Sequence, residues 1–116
     1  MPAVFVYGTL KRGGENAGLL AGQRHLDDGR TRPEFRLYAL DGYPGLVAAS
    51  AGGRSIAGEI WDVDDACLAK LDELEGVAVG LYARQAIALL PPHAGLAVQT
   101  YVYLRDVNGQ REIDSW

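Results

Sequence analysis

The sequence has 116 residues, of which 48% are hydrophobic and 22% are charged, and this composition is typical of a globular domain rather than a disordered chain. The length predicts one domain over residues 1–116, with no room for a second. The formal net charge of −4 gives no electrostatic reason to expect nucleic acid or an anionic membrane as a partner.

Targeting signals and disulfides are not predicted. The segment MPAVFVYGTL lacks a basic stretch followed by a long apolar run, so it does not resemble a signal peptide. No apolar stretch approaches the roughly 18–20 residues that a membrane-spanning helix needs. Because Cys67 is the only cysteine, an intrachain disulfide is excluded. We therefore expect a soluble cytoplasmic protein.

The first half of the chain predicts short strands separated by turns. Ala3 to Tyr7 is rich in β-branched and aromatic residues and predicts the first strand. One or two helical turns are expected within Asn16 to Ala21, and the residues of Asp41 to Gly45 are typical of a turn. The other strands predicted in this half are Phe35–Leu40, Leu46–Ala49 and Ser55–Val63.

The second half predicts one clear helix followed by strands. Asp64 and Asp65 offer an N-cap, and the helix Ala66–Glu75 is expected to end at Gly76. The strands predicted after it are Leu81–Leu90, Ala97–Leu104 and Gln110–Ile113. Several short strands with one helix predict an α+β domain built on a small, mostly antiparallel sheet or barrel.

The end of that helix, LDELEGV, holds three carboxylates, Asp72, Glu73 and Glu75. On a helical wheel at about 100° per residue, Glu75 falls within an apolar arc, whereas Asp72 and Glu73 fall outside it and are expected to be solvated. The arc consists of Cys67, Leu68, Leu71 and Leu74.

Two effects are expected to raise the pKa of Glu75. Burial against leucines disfavours the charged carboxylate, and the carbonyl groups at the helix C-terminus add partial negative charge nearby. A carboxylate of this kind suits a general acid or base near neutral pH. The alternatives are a frayed helix end that reaches water and an ion pair with Arg84, which itself could instead attract a substrate carboxylate.

The segment VYGTLKRG, Val6 to Gly13, is the second informative stretch. A strand that runs into Gly8 and a short polar loop can turn several backbone N–H groups toward one point, and such a group of donors binds a carboxylate or an oxyanion. The Gly-Lys-Ser/Thr ending of a phosphate-binding Walker loop is missing. The alternative is an ordinary turn between a strand and a loop.

Together these motifs resemble the gamma-glutamylcyclotransferase-like superfamily, which includes gamma-glutamylamine cyclotransferases and the related plant avirulence-induced proteins. The resemblance rests on YGTL near the N-terminus and LDELEG about 65 residues later, and it extends over nearly the whole chain. Further similar segments are GLYAR after the helix, Tyr43–Gly45, Gly58–Trp61 and Thr100–Tyr103.

The resemblance implies a small mixed, mostly antiparallel β-barrel with flanking short helices. It also implies an enzyme that releases 5-oxoproline from a gamma-glutamyl amine or peptide, by attack of the substrate's own α-amine, without metal or cofactor. Glu75 would be the general acid/base. The residues implied to bind the substrate are Tyr7, Gly8, Thr9, Leu10, Tyr82 and Tyr103. For each tyrosine, an ordinary core position on a strand is the alternative.

Other candidate groups are assigned structural roles. Glu59 shares a strand face with Trp61 and is expected to be a structural partner. His25 and His93 lie far apart with no metal-ligand spacing around them, so a zinc site is not predicted. The rival functions are a non-catalytic domain of the same fold that binds a small metabolite and, with nothing specific in its favour, a protein-interaction module. Neither the leaving amine nor the oligomeric state follows from the sequence.

Overall fold

The computed structural model describes residues 2–116. Within these residues, eight strands form two sheets, and one α-helix packs against the larger sheet. The larger sheet has the order β2-β5-β1-β7-β6 and the smaller one the order β4-β3-β8. The strands are β1 (Ala3–Val6), β2 (Arg24–Arg30), β3 (Phe35–Ala39), β4 (Pro44–Ala48), β5 (Ala57–Asp62), β6 (Tyr82–Ile87), β7 (Val98–Tyr103) and β8 (Arg111–Ile113).

The helix α1 spans Asp65–Leu74, which is one residue earlier at each end than the predicted Ala66–Glu75, and an aspartate cap and a terminating Gly76 are confirmed. The Asp64 side chain accepts a hydrogen bond of 2.7 Å from the Cys67 amide, which satisfies one of the free donors at the helix start. Gly76 adopts φ 63°, a left-handed conformation that terminates the helix. Short 3-10 turns cover Ala17–Leu20 and Val77–Val79. No helix within residues 2–116 has the length and apolarity that a membrane crossing requires.

The first strand lies at the centre of the larger sheet and is buried on both faces. It pairs antiparallel with β5 and parallel with β7, so this sheet is mixed although most of its pairings are antiparallel. Val4 and Val6 face one hydrophobic cluster with α1, whereas Phe5 faces a second cluster between the two sheets. Burial on both faces explains why AVFV is a continuous apolar run rather than an alternating one.

Strand β2 was not predicted. Its sequence, RHLDDGR, lacks apolar alternation, yet it pairs with β5 through six residue pairs. It forms an edge of the larger sheet, where only one side of the strand needs a partner. Charged side chains are common on such edges because they discourage pairing with another chain.

The expected β-barrel does not appear as a closed ladder: within residues 2–116 the strands form two separate sheets. Just beyond β2 and β6, the two edge strands of the larger sheet, Thr31 and Leu89 form an isolated antiparallel bridge, and the Leu90 amide donates to the Arg30 carbonyl (2.9 Å). Tyrosine hydroxyls connect the sheets where strand pairing would be needed: the Tyr7 hydroxyl donates to the Tyr101 carbonyl (2.6 Å) and accepts from the Leu46 amide (3.3 Å). The Tyr82 hydroxyl similarly donates to the Pro44 carbonyl (2.7 Å). Because a side chain separates the backbones, β4 and β7 pack together without pairing.

Candidate active site

A cavity of about 420 Å³ opens between the loop after β1, the end of α1 and the turn that precedes β4. It is large enough for a small metabolite. Its lining combines apolar side chains with a few polar groups. The lining residues are Phe5, Val6, Tyr7, Gly8, Thr9, Leu10, Glu15, Asn16, Asp41, Gly42, Tyr43, Pro44, Leu74, Glu75, Leu81, Tyr82 and Tyr101.

Glu75 is placed in this cavity by the end of the helix. It is the C-cap residue of α1, with φ −81° and ψ 0°, and its amide still donates to the Leu71 carbonyl (3.0 Å). Because Leu71 is fully buried and Glu75 follows it by four residues, both side chains lie on the face that packs against the sheet. The wheel's assignment of Glu75 to the inner face therefore agrees with its position in the cavity lining.

Burial raises the pKa of Glu75 from its ordinary 4.5 to about 7. Desolvation is the cause, since a charged carboxylate loses favourable contacts with water. Within residues 2–116, no Lys, Arg or His side chain forms an ion pair with Glu75. The suggested partnership with Arg84 is therefore wrong. Glu75 is a half-buried carboxylate that holds or releases a proton near neutral pH.

The loop after β1 forms the wall that includes Gly8, Thr9 and Leu10. Its carbonyl groups are engaged within the protein: Gly8 accepts from the Lys11 amide (3.1 Å), and Thr9 accepts from the Asn16 amide (2.8 Å). Within residues 2–116, no turn, loop or side-chain acceptor receives the amides of Gly8, Thr9 and Leu10. Because these three residues line the cavity, their N–H groups are candidate donors to a ligand there.

Gly8 also has a packing reason to be glycine. A Cβ atom at this position would lie 2.6 Å from Cγ of Pro44, which is closer than side chains can approach. The backbone of the loop therefore comes into direct contact with the start of β4. A bulkier residue would push the amide donors away from the cavity.

Tyr7 and Tyr82 line the cavity, but their hydroxyl protons are already donated to backbone carbonyls. Burial raises the pKa of both hydroxyls, and the negative charge of Glu75 adds to the effect. Both side chains are therefore neutral near pH 7. The two tyrosines therefore shape the cavity as fixed side chains and do not donate protons to a ligand.

Tyr103 is placed differently from the other two tyrosines. It lies outside the cavity lining and packs edge-on against Tyr82, with 5.2 Å between the ring centroids. A Cβ at Gly45 would come within 3.0 Å of the Tyr103 ring, so this ring also supports β4. Tyr103 therefore packs behind Tyr82 and Gly45 and does not face the cavity.

The prediction that Asp72 is solvated is wrong, because its carboxylate is bound by side chains from the sheet. Asp72 accepts a hydrogen bond from the Tyr101 hydroxyl (2.7 Å) and lies 3.1 Å from Nε of Arg84. Arg84 also donates to Gln99 Oε1 (3.0 Å). These groups tie α1 to β6 and β7 beside the cavity. A helical wheel could not predict this contact, because it considers only the residues of the helix and not long side chains from neighbouring strands, such as Tyr101 and Arg84.

Comparison with known proteins identifies the family. A family model described as "Gamma-glutamyl cyclotransferase, AIG2-like" matches residues 4–116. A Vibrio cholerae protein provisionally named a gamma-glutamylcyclotransferase is 46% identical over 84 residues, which are 72% of this chain and 70% of that protein. An Escherichia coli gamma-glutamylcyclotransferase family protein is 36% identical over 112 residues, covering 97% of this chain and 91% of the relative.

Solved structures show the same fold. The crystal structure of a mouse AIG2-like protein superposes with a TM-score of 0.80 at 28% identity, and the match covers 100% of this chain and 88% of the mouse chain. The similarity in sequence and the similarity in fold both extend over nearly the whole chain. The chain therefore belongs to the gamma-glutamyl cyclotransferase, AIG2-like family.

Proposed function

We propose that this protein is a gamma-glutamylcyclotransferase that converts a gamma-glutamyl amine or peptide to 5-oxoproline and a free amine. The observation that carries the proposal is the position of Glu75. This half-buried carboxylate, with a pKa of about 7, shares one cavity with the free amides of Gly8, Thr9 and Leu10. A base and a set of anion-binding donors are the groups that the reaction needs.

The first step is attack of the substrate α-amine on the γ-carbonyl carbon. That amine is largely protonated near neutral pH, so it becomes a nucleophile only after Glu75 accepts a proton. A C–N bond then forms and closes a five-membered ring, and the carbonyl oxygen becomes an oxyanion. Since both reacting groups belong to one molecule, the protein gains the advantage of proximity by holding the substrate in a ring-ready conformation.

The second step expels the leaving amine. The C–N bond of the original amide breaks as the oxyanion reforms a carbonyl, and Glu75 returns the proton to the departing nitrogen. The ring nitrogen still carries a second proton after the attack, and it releases this proton through Glu75 to the departing amine. The products are 5-oxoproline and the protonated amine, with no oxidant, reductant or water consumed. The loop amides bind negative charge on the substrate, either its α-carboxylate or the oxyanion.

The charge of the cavity favours a cationic leaving group. Glu15 and Asp41 belong to the lining, and no Lys, Arg or His does among the described residues. Each carboxylate at about 5 Å from a cation in water contributes about 0.8 kcal/mol, which corresponds to about a fourfold preference. We expect gamma-glutamyl amides of 1,4-diaminobutane, butylamine and 4-aminobutyrate to react in decreasing order of kcat/KM. Equal rates for all three, with no response to salt, would contradict this order.

The reaction class is tested by measuring 5-oxoproline released from a panel of gamma-glutamyl amines and peptides. The expected result is equimolar 5-oxoproline and free amine from at least one substrate. The matched control is the same substrate acetylated on its α-nitrogen, which cannot attack and should give no product. Glutamate in place of 5-oxoproline would indicate hydrolysis. No turnover across a broad panel by folded protein would refute the enzyme and leave a metabolite-binding domain.

A further inference from the structure

Glu59 connects the loop after β1 to the centre of the larger sheet. It is only 8% exposed and lies opposite Val6, the last residue of β1. It accepts three hydrogen bonds: from the Arg12 backbone amide (3.0 Å), from Nε of Arg12 (3.1 Å) and from Nε1 of Trp61 (3.1 Å). Two of these bonds come from the far end of the loop that carries the free amides.

A group of metal-binding residue types surrounds Glu59. The ligand atoms of His25, Asp28 and Glu59 lie within 4.8 Å of one another. The Arg12 guanidinium, however, bonds both carboxylates, with Nη2 3.0 Å from Asp28 and Nε 3.1 Å from Glu59. A cation already pairs with both carboxylates of this cluster, and its charge would repel a metal ion. The cluster therefore binds the Arg12 guanidinium.

We propose that Glu59 is a positioning residue that holds the loop amides of Gly8, Thr9 and Leu10 toward the cavity. This inference rests on the proposed function, because it concerns the same reaction. Glu59 does not itself line the cavity; it borders a separate groove on the other side of the loop. It therefore acts through Arg12 and not through contact with substrate.

The loop is fixed from two sides. On one side Asn16 donates to the Thr9 hydroxyl (3.0 Å) and carbonyl (2.8 Å), and on the other side Glu59 receives the amide and guanidinium of Arg12. The amide of Leu10 lies between these attachments, and those of Gly8 and Thr9 lie at the first of them. Release of either attachment lets the donors move, and a displacement of about 1 Å of a positioning group can cost about a hundredfold in rate.

The test compares 5-oxoproline release by the wild type, Glu59→Gln and Arg12→Ala. Glu59→Gln keeps the size of the side chain but loses the charge and one acceptor for Arg12. We expect kcat/KM per folded molecule to fall about 10- to 100-fold in both variants. The acid limb of the pH profile should stay near the pKa of about 7, because Glu75 lies on another wall. Asp62→Asn, a carboxylate change on the same strand β5, is the matched control and should change kcat/KM less than about threefold.

A second readout separates positioning from general stability. Hydrogen exchange of the hydrogen-bonded amides of this loop, Lys11 and Asn16, should become faster in both variants, while exchange in α1 stays unchanged. Wild-type kcat/KM in Glu59→Gln, or unchanged exchange of the Lys11 and Asn16 amides, would overturn the positioning role. If Glu59→Gln does not fold, the Arg12→Ala variant tests the positioning role instead, because truncation of the exposed Arg12 side chain should leave the fold intact. A wild type that releases no 5-oxoproline refutes the proposed function itself, a result distinct from an active wild type with an equally active Glu59→Gln.

Discussion

Replacing Glu75 with glutamine is expected to stabilise the protein above pH 7. The pKa of Glu75 rises from 4.5 to about 7 on folding, so the folded state prefers the protonated carboxyl. Between these values the unfolded chain has released its proton and the folded chain has kept it. Stability therefore falls as the pH rises from about 4.5 to about 7, by about 3 kcal/mol in total.

Glutamine resembles the protonated carboxyl and carries no charge at any pH. Because the cavity is open to water, part of the penalty is screened, and we expect Glu75→Gln to be more stable than the wild type by about 1–3 kcal/mol at pH 8. At pH 4.5 or below, the two proteins should be about equally stable. Urea denaturation at both pH values and constant ionic strength measures the difference.

The matched control is Glu73→Gln, since Glu73 is exposed on the same helical turn. It removes the same charge near the helix C-terminus, so it accounts for the interaction with the helix dipole. Its effect should stay within about 0.5 kcal/mol at both pH values. Equal stabilities of Glu75→Gln and Glu73→Gln at pH 8 would show that burial of Glu75 does not destabilise its charged form.

Three further outcomes are expected. The kcat/KM for 5-oxoproline release should rise with pH through about 7, because Glu75 must be deprotonated to accept a proton; a flat profile between pH 6 and 8 would contradict this. Tyr7→Phe removes the hydroxyl that bridges the two sheets and should cost about 1–3 kcal/mol in urea denaturation, whereas Tyr38→Phe should be nearly neutral. Gly58→Ala would place a Cβ 2.5 Å from a backbone oxygen and should lower the stability by about 1–3 kcal/mol; Gly95→Ala meets no atom within 4 Å and is its control.

The elements with strong local signals were predictable from the sequence. The apolar run of β1, the Asp64 cap of α1 and the terminating Gly76 each depend on neighbouring residues. The position of Glu75 could also be predicted, because its four-residue spacing from Leu71 determines the helix face on which it lies.

Features that depend on distant partners were not predictable. Strand β2 carries charged residues because it forms an edge, and only its pairing with β5 makes it a strand. Asp72 lies on the outer arc of the wheel, but side chains from β6 and β7 reach it. The connection between the two sheets depends on two tyrosine hydroxyls that bond to backbone groups far away in the sequence.

The role of Glu75 in proton transfer is tested most directly by the rate of 5-oxoproline release by Glu75→Gln at pH 8, on the best substrate of the panel, beside Glu73→Gln. We predict that Glu75→Gln loses about 10²- to 10⁴-fold in kcat while remaining folded, and that Glu73→Gln keeps the wild-type rate. A Glu75→Gln variant that releases 5-oxoproline as fast as Glu73→Gln would contradict the assignment of Glu75 as the proton-transfer group.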